Sequence, residues 1–344
     1  MFQRFVWLNH WQNTIGRELG VTPAVIVVSG YCRAEVLLPF CITRIKGVRV
    51  LVYMGGLQAD YNMPICTDAG ITILQDLNTW RAIFERVPGF DVCHFKKIPE
   101  DPHPESIYPF ISGELSVMDS SHSVELPASQ DELLGRLPGK HIRDSRRNWR
   151  RLNALCRLEF RSFDVDDIVH DGVFNEFITQ KRHRYHRTGG KDIFDTKAGR
   201  DFYSMMPRIL GANAKLHFSA LCLDDTYLSF SLAALDQSRY YGLISTFSDE
   251  YSKYSPGRLL IEELMNYAIK SKIGVFDFTH GSEEYKMRWC NRHELLFEIL
   301  FPITFYGFIY IHFMKMKSFL KQSPPFMRVM IYMRRFRYFL RFSC

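Results

Sequence analysis

The second half of the chain shows the clearest periodic pattern of apolar and polar residues. Helical spacing of apolar residues predicts helices, and short runs rich in β-branched and apolar residues predict strands. In chain order the pattern predicts a helix at 140–156, a strand at 158–163, helices at 173–186 and 202–210, strands at 216–223, 228–235 and 240–246, a helix at 256–272, a strand at 275–279, a short helix at 283–290 and a strand at 295–301. This order is an antiparallel meander followed by a helix and a further strand.

The first 139 residues show the same two patterns in a different order. They predict a helix at 2–15, strands at 24–28, 35–42 and 48–54, a helix at 70–84, and a connector with short strands at 95–125. Strands separated by helices predict a layered α/β (α+β) architecture. A chain of 344 residues is long enough for two domains. We therefore expect domains at 1–139 and 140–301, followed by a basic, aromatic-rich tail at 302–344.

The formal net charge of +7 is concentrated in that tail. Residues 301–344 hold eight Lys and Arg and no Asp or Glu, whereas the first 300 residues hold 36 basic and 37 acidic residues. The tail segment Phe326–Arg341 mixes aromatic residues with Arg, which favours either peripheral binding to anionic lipid or packing on the second domain. The uncharged stretch Ile299–Met314 is shorter than the roughly 20 residues that a spanning helix needs, so we expect it to be buried or to lie on the surface.

Cysteine usage and the N-terminus predict a protein of the reducing cytoplasm. The eight cysteines form no C-x-x-C pair, which argues against a zinc site or a disulfide framework, and no metal is expected. The N-terminal MFQRFVWLNHWQN lacks the uninterrupted apolar region of a secretion signal. We expect a cytoplasmic location, with peripheral contact at the inner face of the membrane if the tail binds lipid.

Two basic clusters are candidate binding surfaces. Five arginines share one face of the predicted helix at 140–156, opposite an apolar face, and they lie at positions 143, 146, 147, 150 and 151. The second cluster, Lys181–Arg187, reads KRHRYHR and could attract an anionic acceptor such as a sugar phosphate. For both clusters a simply solvated charged face is the alternative.

Three segments of the second half resemble a known family. They are Tyr254-Ser255-Pro256-Gly257-Arg258-Leu259-Leu260, Phe276-Asp277-Phe278-x-x-Gly281 and Tyr285-Lys286-x-x-Trp289. They are similar to the GNAT-type domain of the acetyltransferases associated with bacterial cellulose biosynthesis (the CelD-like group), which are relatives of the Fem aminoacyl transferases. The resemblance implies two tandem GNAT-like domains, each a mixed, largely antiparallel sheet flanked by helices, with the first one degenerate.

The resemblance also implies an acyl-CoA donor, most simply acetyl-CoA. In a GNAT fold the pyrophosphate binds at the N-terminus of the helix after the fourth strand, where backbone N–H groups and the helix dipole favour an anion. That segment here is Ser255-Pro256-Gly257-Arg258 with Leu259, and Lys253 precedes it. Gly257 permits close approach, and Arg258 and Lys253 add positive charge. The glycine-rich loop of the family is reduced to one glycine and a proline, so an ordinary capped helix remains an alternative.

Four residues are candidates for the chemistry. Asp277 could accept a proton or orient the acceptor, or it could instead pair with Arg288 or cap a turn. Tyr285 could protonate the leaving thiolate, and Lys286 could stabilise an oxyanion. His280 is a further candidate base. The structural alternative for Tyr285 and Lys286 is a solvated helix face.

The expected activity is transfer of an acyl group to an amine or hydroxyl of a small molecule or saccharide, including a sugar or a cell-envelope or exopolysaccharide precursor. No G-x-S-x-G motif or paired cysteine indicates a covalent intermediate, so direct attack is expected. A Fem-like transferase that uses aminoacyl-tRNA, and a non-catalytic binding protein with a decayed site, remain alternatives. Nucleic acid other than that tRNA is not expected as a partner.

Overall fold

The computed structural model describes residues 1–30, 33–111, 115–164, 172–210, 215–236 and 238–322. The strands in these residues are β1 (Thr22–Ser29), β2 (Ala34–Ile45), β3 (Val48–Tyr53), β4 (Ile65–Cys66), β5 (Val92–Pro99), β6 (Leu115–Glu125), β7 (Leu158–Phe163), β8 (Lys215–Leu223), β9 (Thr226–Leu235), β10 (Arg239–Phe247), β11 (Val275–His280) and β12 (Arg292–Pro302). The helices are α1 (Phe5–Trp11, continued by a π-helical turn), α2 (Asp68–Leu74), α3 (Leu77–Arg86), α4 (Pro104–Ile107), α5 (Gln130–Gly135), α6 (Gly139–Asn153), α7 (Val173–Thr188), α8 (Lys197–Ile209), α9 (Pro256–Lys270), α10 (Glu284–Met287) and α11 (Phe305–Gln322). The tail segment Phe326–Arg341 lies outside the described residues.

The described chain divides into two compact units. The first unit contains Phe2–Ser120 and the described residues Glu294–Gln322, and the second contains Ser121–His293. The chain crosses this division inside β6 and again inside β12. The first unit is therefore completed by a segment that is distant in sequence, whereas the second is continuous.

Within the first unit the strand order is β1-β2-β3-β5-β12, and β4 pairs with β2. The β1/β2, β2/β3 and β5/β12 pairs are antiparallel. The β3/β5 pair is parallel and short, with Val50 opposite Val92 and Leu51 opposite Cys93. Phe40 and Phe95 stack in the core of this unit with ring centroids 4.9 Å apart.

Within the second unit the order is β7-β8-β9-β10-β11-β6. The pairs are antiparallel except β10/β11, which is parallel. Helix α9 packs on this sheet through one apolar face, formed by Leu259, Leu260, Leu264, Met265 and Ala268. The two units thus repeat one pattern of antiparallel strands with a single short parallel pair, which confirms the predicted mixed, largely antiparallel sheet flanked by helices.

Three local predictions were wrong. The predicted connector at 95–125 contains most of β5 and the whole of β6. Strand β5 is buried almost throughout, so it lacks the apolar and polar alternation that identifies a half-exposed strand. The predicted helix at 70–84 is two helices, because Asp76 accepts hydrogen bonds from the backbone N–H groups of Asn78 and Thr79 and starts α3.

The third error concerns the end of α6. The predicted apolar face included Leu155 and Cys156, but the helix ends at Asn153 and both residues are exposed. Leu152 is buried as predicted, and the five arginines of the opposite face are all exposed.

Candidate active site

An opening between β10 and β11 is the central feature of the second unit. The two strands pair over three positions, from Arg239 opposite Val275 to Tyr241 opposite Asp277. Beyond Tyr241, β10 continues to Phe247 paired only with β9, with a bulge between Gly242 and Ile244. The other edge of this stretch of β10 has no strand partner among the described residues, so its backbone groups can bind something else.

Lys181 from α7 lies at this open edge. Its Nζ donates a hydrogen bond to the carbonyl oxygen of Ser245 at 2.7 Å and lies 4.8 Å from the centre of the Tyr185 ring. Burial and, to a lesser extent, the nearby Arg184 lower the pKa of Lys181 to about 8, against an opposing effect of Glu283. The C-terminal half of α7 therefore faces both β10 and the turn that follows β11.

Arg184, one turn further along α7, brings a second cation to the same opening. Its guanidinium lies 3.9 Å from the centre of the Phe247 ring. Its Nη1 is buried and has no hydrogen-bond partner among the described residues. Burial and then Arg187 lower the pKa of Arg184, whereas Asp249 and Tyr285 raise it. A buried guanidinium with an unused donor can bind an anion.

The end of β11 is bent around Asp277, which is fully buried. Its Oδ2 pairs with Nη1 of Arg239 at 2.8 Å, and its Oδ1 accepts a hydrogen bond from the backbone N–H of Thr279 at 2.7 Å. Thr279 has a φ of 59°, which is strained for a β-branched residue. The basic partner is Arg239, whereas Arg288, the partner considered from the sequence, pairs with Glu284.

Lys286 points into the turn that Gly281 opens. Its Nζ donates to the carbonyl oxygen of His280 at 2.7 Å and pairs with Oε2 of Glu283 at 2.8 Å. Gly281 has a φ of 114°, and a Cβ there would lie 2.6 Å from Glu283 Oε2. Burial raises the pKa of Glu283, but the hydrogen bond and charge of Lys286 outweigh this and the net shift is downward. Lys286 is therefore engaged within the protein.

Tyr285 follows this turn and is 41 % exposed. Its ring packs edge-on against Phe278, with centroids 6.2 Å apart. Partial burial and the nearby Glu283 raise the pKa of its hydroxyl, which keeps it protonated. His280 is half-buried and lies opposite Ser121 in the β11/β6 pair.

The start of α9 closes the other side of the opening. Ser255 occupies the N-cap position, but with a left-handed backbone and no side-chain hydrogen bond to the helix. The N–H groups of Arg258 and Leu259 both donate to the carbonyl oxygen of Ser255, which leaves Gly257 as the first-turn N–H without such a bond. Lys253 lies over the ring of Tyr254.

Phe247 connects this helix start to α7. A Cβ at Gly257 would lie 3.2 Å from the Phe247 ring, and the Arg184 guanidinium stacks on that same ring. The Nε of Arg258 is buried and has no hydrogen-bond partner in the part of the chain that the structure describes. Leu259 is buried and serves the core. Phe247 therefore contacts the predicted CoA-binding segment at Gly257. Arg184, which stacks on Phe247, is also close enough to Tyr285 to affect its charge.

An open cavity of about 780 Å³ adjoins Phe247. It lies between the start of α7, the β8/β9 turn and the segment after β10. Its lining contains four acidic residues and His183 but no Lys or Arg, and the acidic residues are Glu176, Asp225, Asp249 and Glu250. The cavity therefore favours a cationic ligand, unlike the neighbouring opening. No three or more His, Cys, Asp or Glu side chains among the described residues are placed so that they could hold a metal ion.

The first unit also has a glycine-containing loop, which follows β3, and a side chain occupies the space beside this loop. Gly55 and Gly56 both have positive φ values. A Cβ at Gly56 would lie 3.1 Å from the Trp11 ring, and the Trp11 Nε1 donates to Gln58 Oε1 at 3.2 Å. The side chain of Trp11 thus occupies the space over the glycines.

The sequence did not identify Arg239, Ser245 or Glu283 as parts of the site. Arg239 follows a turn and has no sequence signal for its partner, which depends on the register between β10 and β11. Ser245 takes part through its backbone, so its side-chain type carries no information. The basic cluster containing Lys181 and Arg184 was noticed, but only the packing of α7 shows which of its members face the opening.

Comparisons with known proteins agree with this geometry. The family model described as "Acetyltransferase (GNAT) domain" matches residues 139–287. A search of curated proteins found no match. The structure of FemX is similar with a TM-score of 0.60 at 11 % identity, covering 87 % of this chain and 91 % of that one.

Two further solved structures are similar. A conserved protein of unknown function from Bacteroides thetaiotaomicron has a TM-score of 0.55 at 12 % identity, covering 87 % of this chain and 90 % of that one. A tandem GNAT protein from the clavulanic acid biosynthesis pathway has a TM-score of 0.47 at 8 % identity, covering 81 % and 82 %. Such low identities bear on the fold alone. Residues 139–287 of this chain thus match the GNAT acetyltransferase domain model, and the chain has a fold similar to that of FemX.

Proposed function

We propose that this protein transfers an acyl group, most simply acetyl, from acyl-CoA to an amine of a small molecule or saccharide. The observation that carries the proposal is the edge of β10 from Gly242 to Phe247, which has no strand partner among the described residues and lies inside the segment that matches the GNAT family model. The pantetheine arm of CoA contains amide groups, which can pair with a free strand edge as an added strand would. The CelD-like group remains our proposal for the subfamily, on the residues given above.

The charges around the opening support an anionic donor. Arg184 and Arg258 come from two helices, and each has a buried donor without a partner among the described residues. The Gly257 N–H at the start of α9 adds a backbone donor to which a phosphate oxygen could bind. We propose that the diphosphate of CoA binds between the start of α9 and Arg184.

The acidic cavity beside Phe247 supports an amine acceptor. Glu176, Asp225 and Glu250 attract a protonated amine and would repel a phosphorylated acceptor, whereas Asp249 is already paired with Arg187. We therefore favour N-acylation, for example of an amino sugar or polyamine, over transfer to a sugar phosphate. An amino sugar that is part of an envelope or exopolysaccharide precursor fits this chemistry.

The chemistry proposed for the site is direct attack. The neutral acceptor nitrogen attacks the thioester carbonyl carbon, the C–N bond forms, and the C–S bond breaks with its electron pair leaving on sulfur. Lys181 in its neutral form accepts the proton from nitrogen, and the protonated Tyr285 hydroxyl supplies a proton to the thiolate. His280 is the alternative proton acceptor. Asp277 and Lys286 act by holding the turn that presents Tyr285.

Acetyl-CoA binding and thiol release test this proposal. We expect acetyl-CoA to raise the melting temperature and a panel of amino sugars and polyamines to release CoA thiol in its presence. Tyr285→Phe should lower kcat about 100-fold, the typical effect of losing a general acid, with little change in acetyl-CoA affinity. The matched control is Tyr306→Phe, an exposed tyrosine on α11. If no acyl-CoA stabilises the wild-type protein, the proposal fails.

The exposed arginine face of α6 favours one alternative, a Fem-like transferase that uses aminoacyl-tRNA. Arg143, Arg146 and Arg150 are exposed on a single helix face, as a phosphate backbone would require. Under this alternative the triple Arg→Gln variant at these positions loses salt-sensitive tRNA binding. Under the acyl-CoA proposal it retains full acetyl-CoA-dependent activity. Acetyl-CoA binding without turnover on any acceptor would favour the decayed-site alternative.

A further inference from the structure

Helix α11 of the first unit has one anchored side. Tyr310 and Ile311 are buried, and the Tyr310 hydroxyl lies 2.8 Å from Nδ1 of the buried His94 on β5. The backbone at Gly307 packs so closely against Asp91 that a Cβ there would be 1.9 Å from the Asp91 carbonyl oxygen. This side fixes the orientation of the helix on its unit, so the opposite side is presented to solvent in a defined way.

The opposite side of α11 is apolar and aromatic. A set of large apolar side chains on and just before the helix is between 43 and 73 % exposed, and its members are Ile303, Phe305, Tyr306, Phe308, Ile309 and Met316. Phe305, Ile309 and Met316 follow helical spacing and form one stripe. Contiguous exposed apolar patches are uncommon on soluble proteins and mark surfaces that bind a partner or a membrane.

The charge of the same region restricts what can cover this patch. From residue 299 to the end of the sequence there is no Asp or Glu. The same stretch contains eight cations, namely Lys315, Lys317, Lys321, Arg328, Arg334, Arg335, Arg337 and Arg341. A second copy of the chain docked through this face would bring like charges together, which is unfavourable. An anionic lipid surface would be attracted by them.

We propose that the exposed face of α11, defined by the six apolar residues above, lies on an anionic bilayer surface. Its aromatic side chains insert at the level of the headgroups, where Phe and Tyr bury apolar area, and the positive charge of the sequence segment attracts acidic lipids. The helix lies along the surface, since no helix among the described residues is long and apolar enough to cross a membrane. This inference is independent of the acyl-transfer proposal.

Vesicle flotation of the full chain tests the inference. We expect binding to phosphatidylcholine vesicles containing 30 % phosphatidylglycerol, about tenfold weaker binding to phosphatidylcholine alone, and loss of most binding in 0.5 M NaCl. The triple variant Phe305→Ser, Phe308→Ser, Ile309→Ser should lower the affinity for the anionic vesicles at least tenfold. Its melting temperature should stay unchanged because these side chains are exposed.

The control carries two substitutions of exposed leucines elsewhere, Leu57→Ser and Leu155→Ser, which should bind vesicles as the wild type does. The inference is overturned if the wild type does not float with anionic vesicles, or if the triple variant floats as well as the wild type. It is also overturned if the control loses binding equally. Sedimentation that shows a wild-type dimer dissociated by the triple variant would assign the face to a second copy instead.

Discussion

Asp277 connects the end of β11 to the bend that follows. Both carboxylate oxygens are used, one by Arg239 and one by the backbone N–H of Thr279. The second bond stabilises a threonine in the left-handed region, a conformation that costs free energy on its own. At the scale of a single residue this side chain is therefore a structural element of the candidate site.

Substitution Asp277→Asn should lower the free energy of unfolding by about 2–3 kcal/mol, because it removes a buried charge and weakens the pairing with Arg239. Urea unfolding followed by fluorescence measures this. Glu284→Gln, which removes an exposed pair with Arg288, is the control and should change stability by less than about 0.5 kcal/mol. Normal stability with complete loss of transfer would instead make Asp277 a catalytic residue.

The proposed role of Lys181 as the general base predicts how the reaction rate depends on pH. A base with a pKa of about 8 must be neutral to accept a proton, so kcat/KM should rise with pH up to about 8 and then level off. Lys181→Arg should abolish this limb and lower kcat about 100-fold or more, because arginine stays protonated. Lys197→Arg, on an exposed face of α8, should keep the wild-type profile. A limb that persists in Lys181→Arg would assign the base to another group.

His217 links elements rather than forming part of the site. Its Nδ1 lies 2.9 Å from the hydroxyl of Tyr240 on β10, and its Nε2 lies 2.9 Å from Oγ of Ser162 on β7. The imidazole ring stacks on Tyr267 of α9 with centroids 3.9 Å apart. One buried side chain on β8 thereby joins three strands and a helix.

Burial lowers the pKa of His217 from 6.5 to about 4. The unfolded chain binds a proton below about 6.5 and the folded chain does not, so stability is fully present above that pH and falls as the pH drops toward 4. The loss is on the order of 2–3 kcal/mol. Unfolding free energies at several pH values should show this dependence, reduced in His217→Gln but retained in the exposed His183→Gln. Equal slopes in wild type and His217→Gln would contradict it.

Element order was predictable, whereas the pairings that build the site were not. The meander from β8 to β10, and helices α6, α7 and α9, have regular periodicity and strong start or stop signals, such as Gly189 after α7. Strand β5 was missed because burial on both faces removes alternation. The opening between β10 and β11 depends on where a parallel pairing stops, and no local pattern records that.

Across the whole molecule, both units have the same pattern of strand pairing, but the loop that could bind a ligand is uncovered only in the second unit. The glycines after β3 in the first unit are covered by Trp11, whereas the N–H of Gly257 in the second unit makes no backbone hydrogen bond within the described part of the chain. The sequence suggested a degenerate first domain only through resemblance. We accordingly expect the complete chain to bind one acyl-CoA molecule.

Calorimetric titration of the full chain with acetyl-CoA tests the central claim most directly. We predict one binding site per chain, weakened about tenfold by Arg184→Met, which removes one charge-assisted contact to a phosphate, and unchanged by Arg143→Met on the exposed face of α6. No binding by the wild type, binding at two sites, or equal affinity in wild type and Arg184→Met would contradict the account.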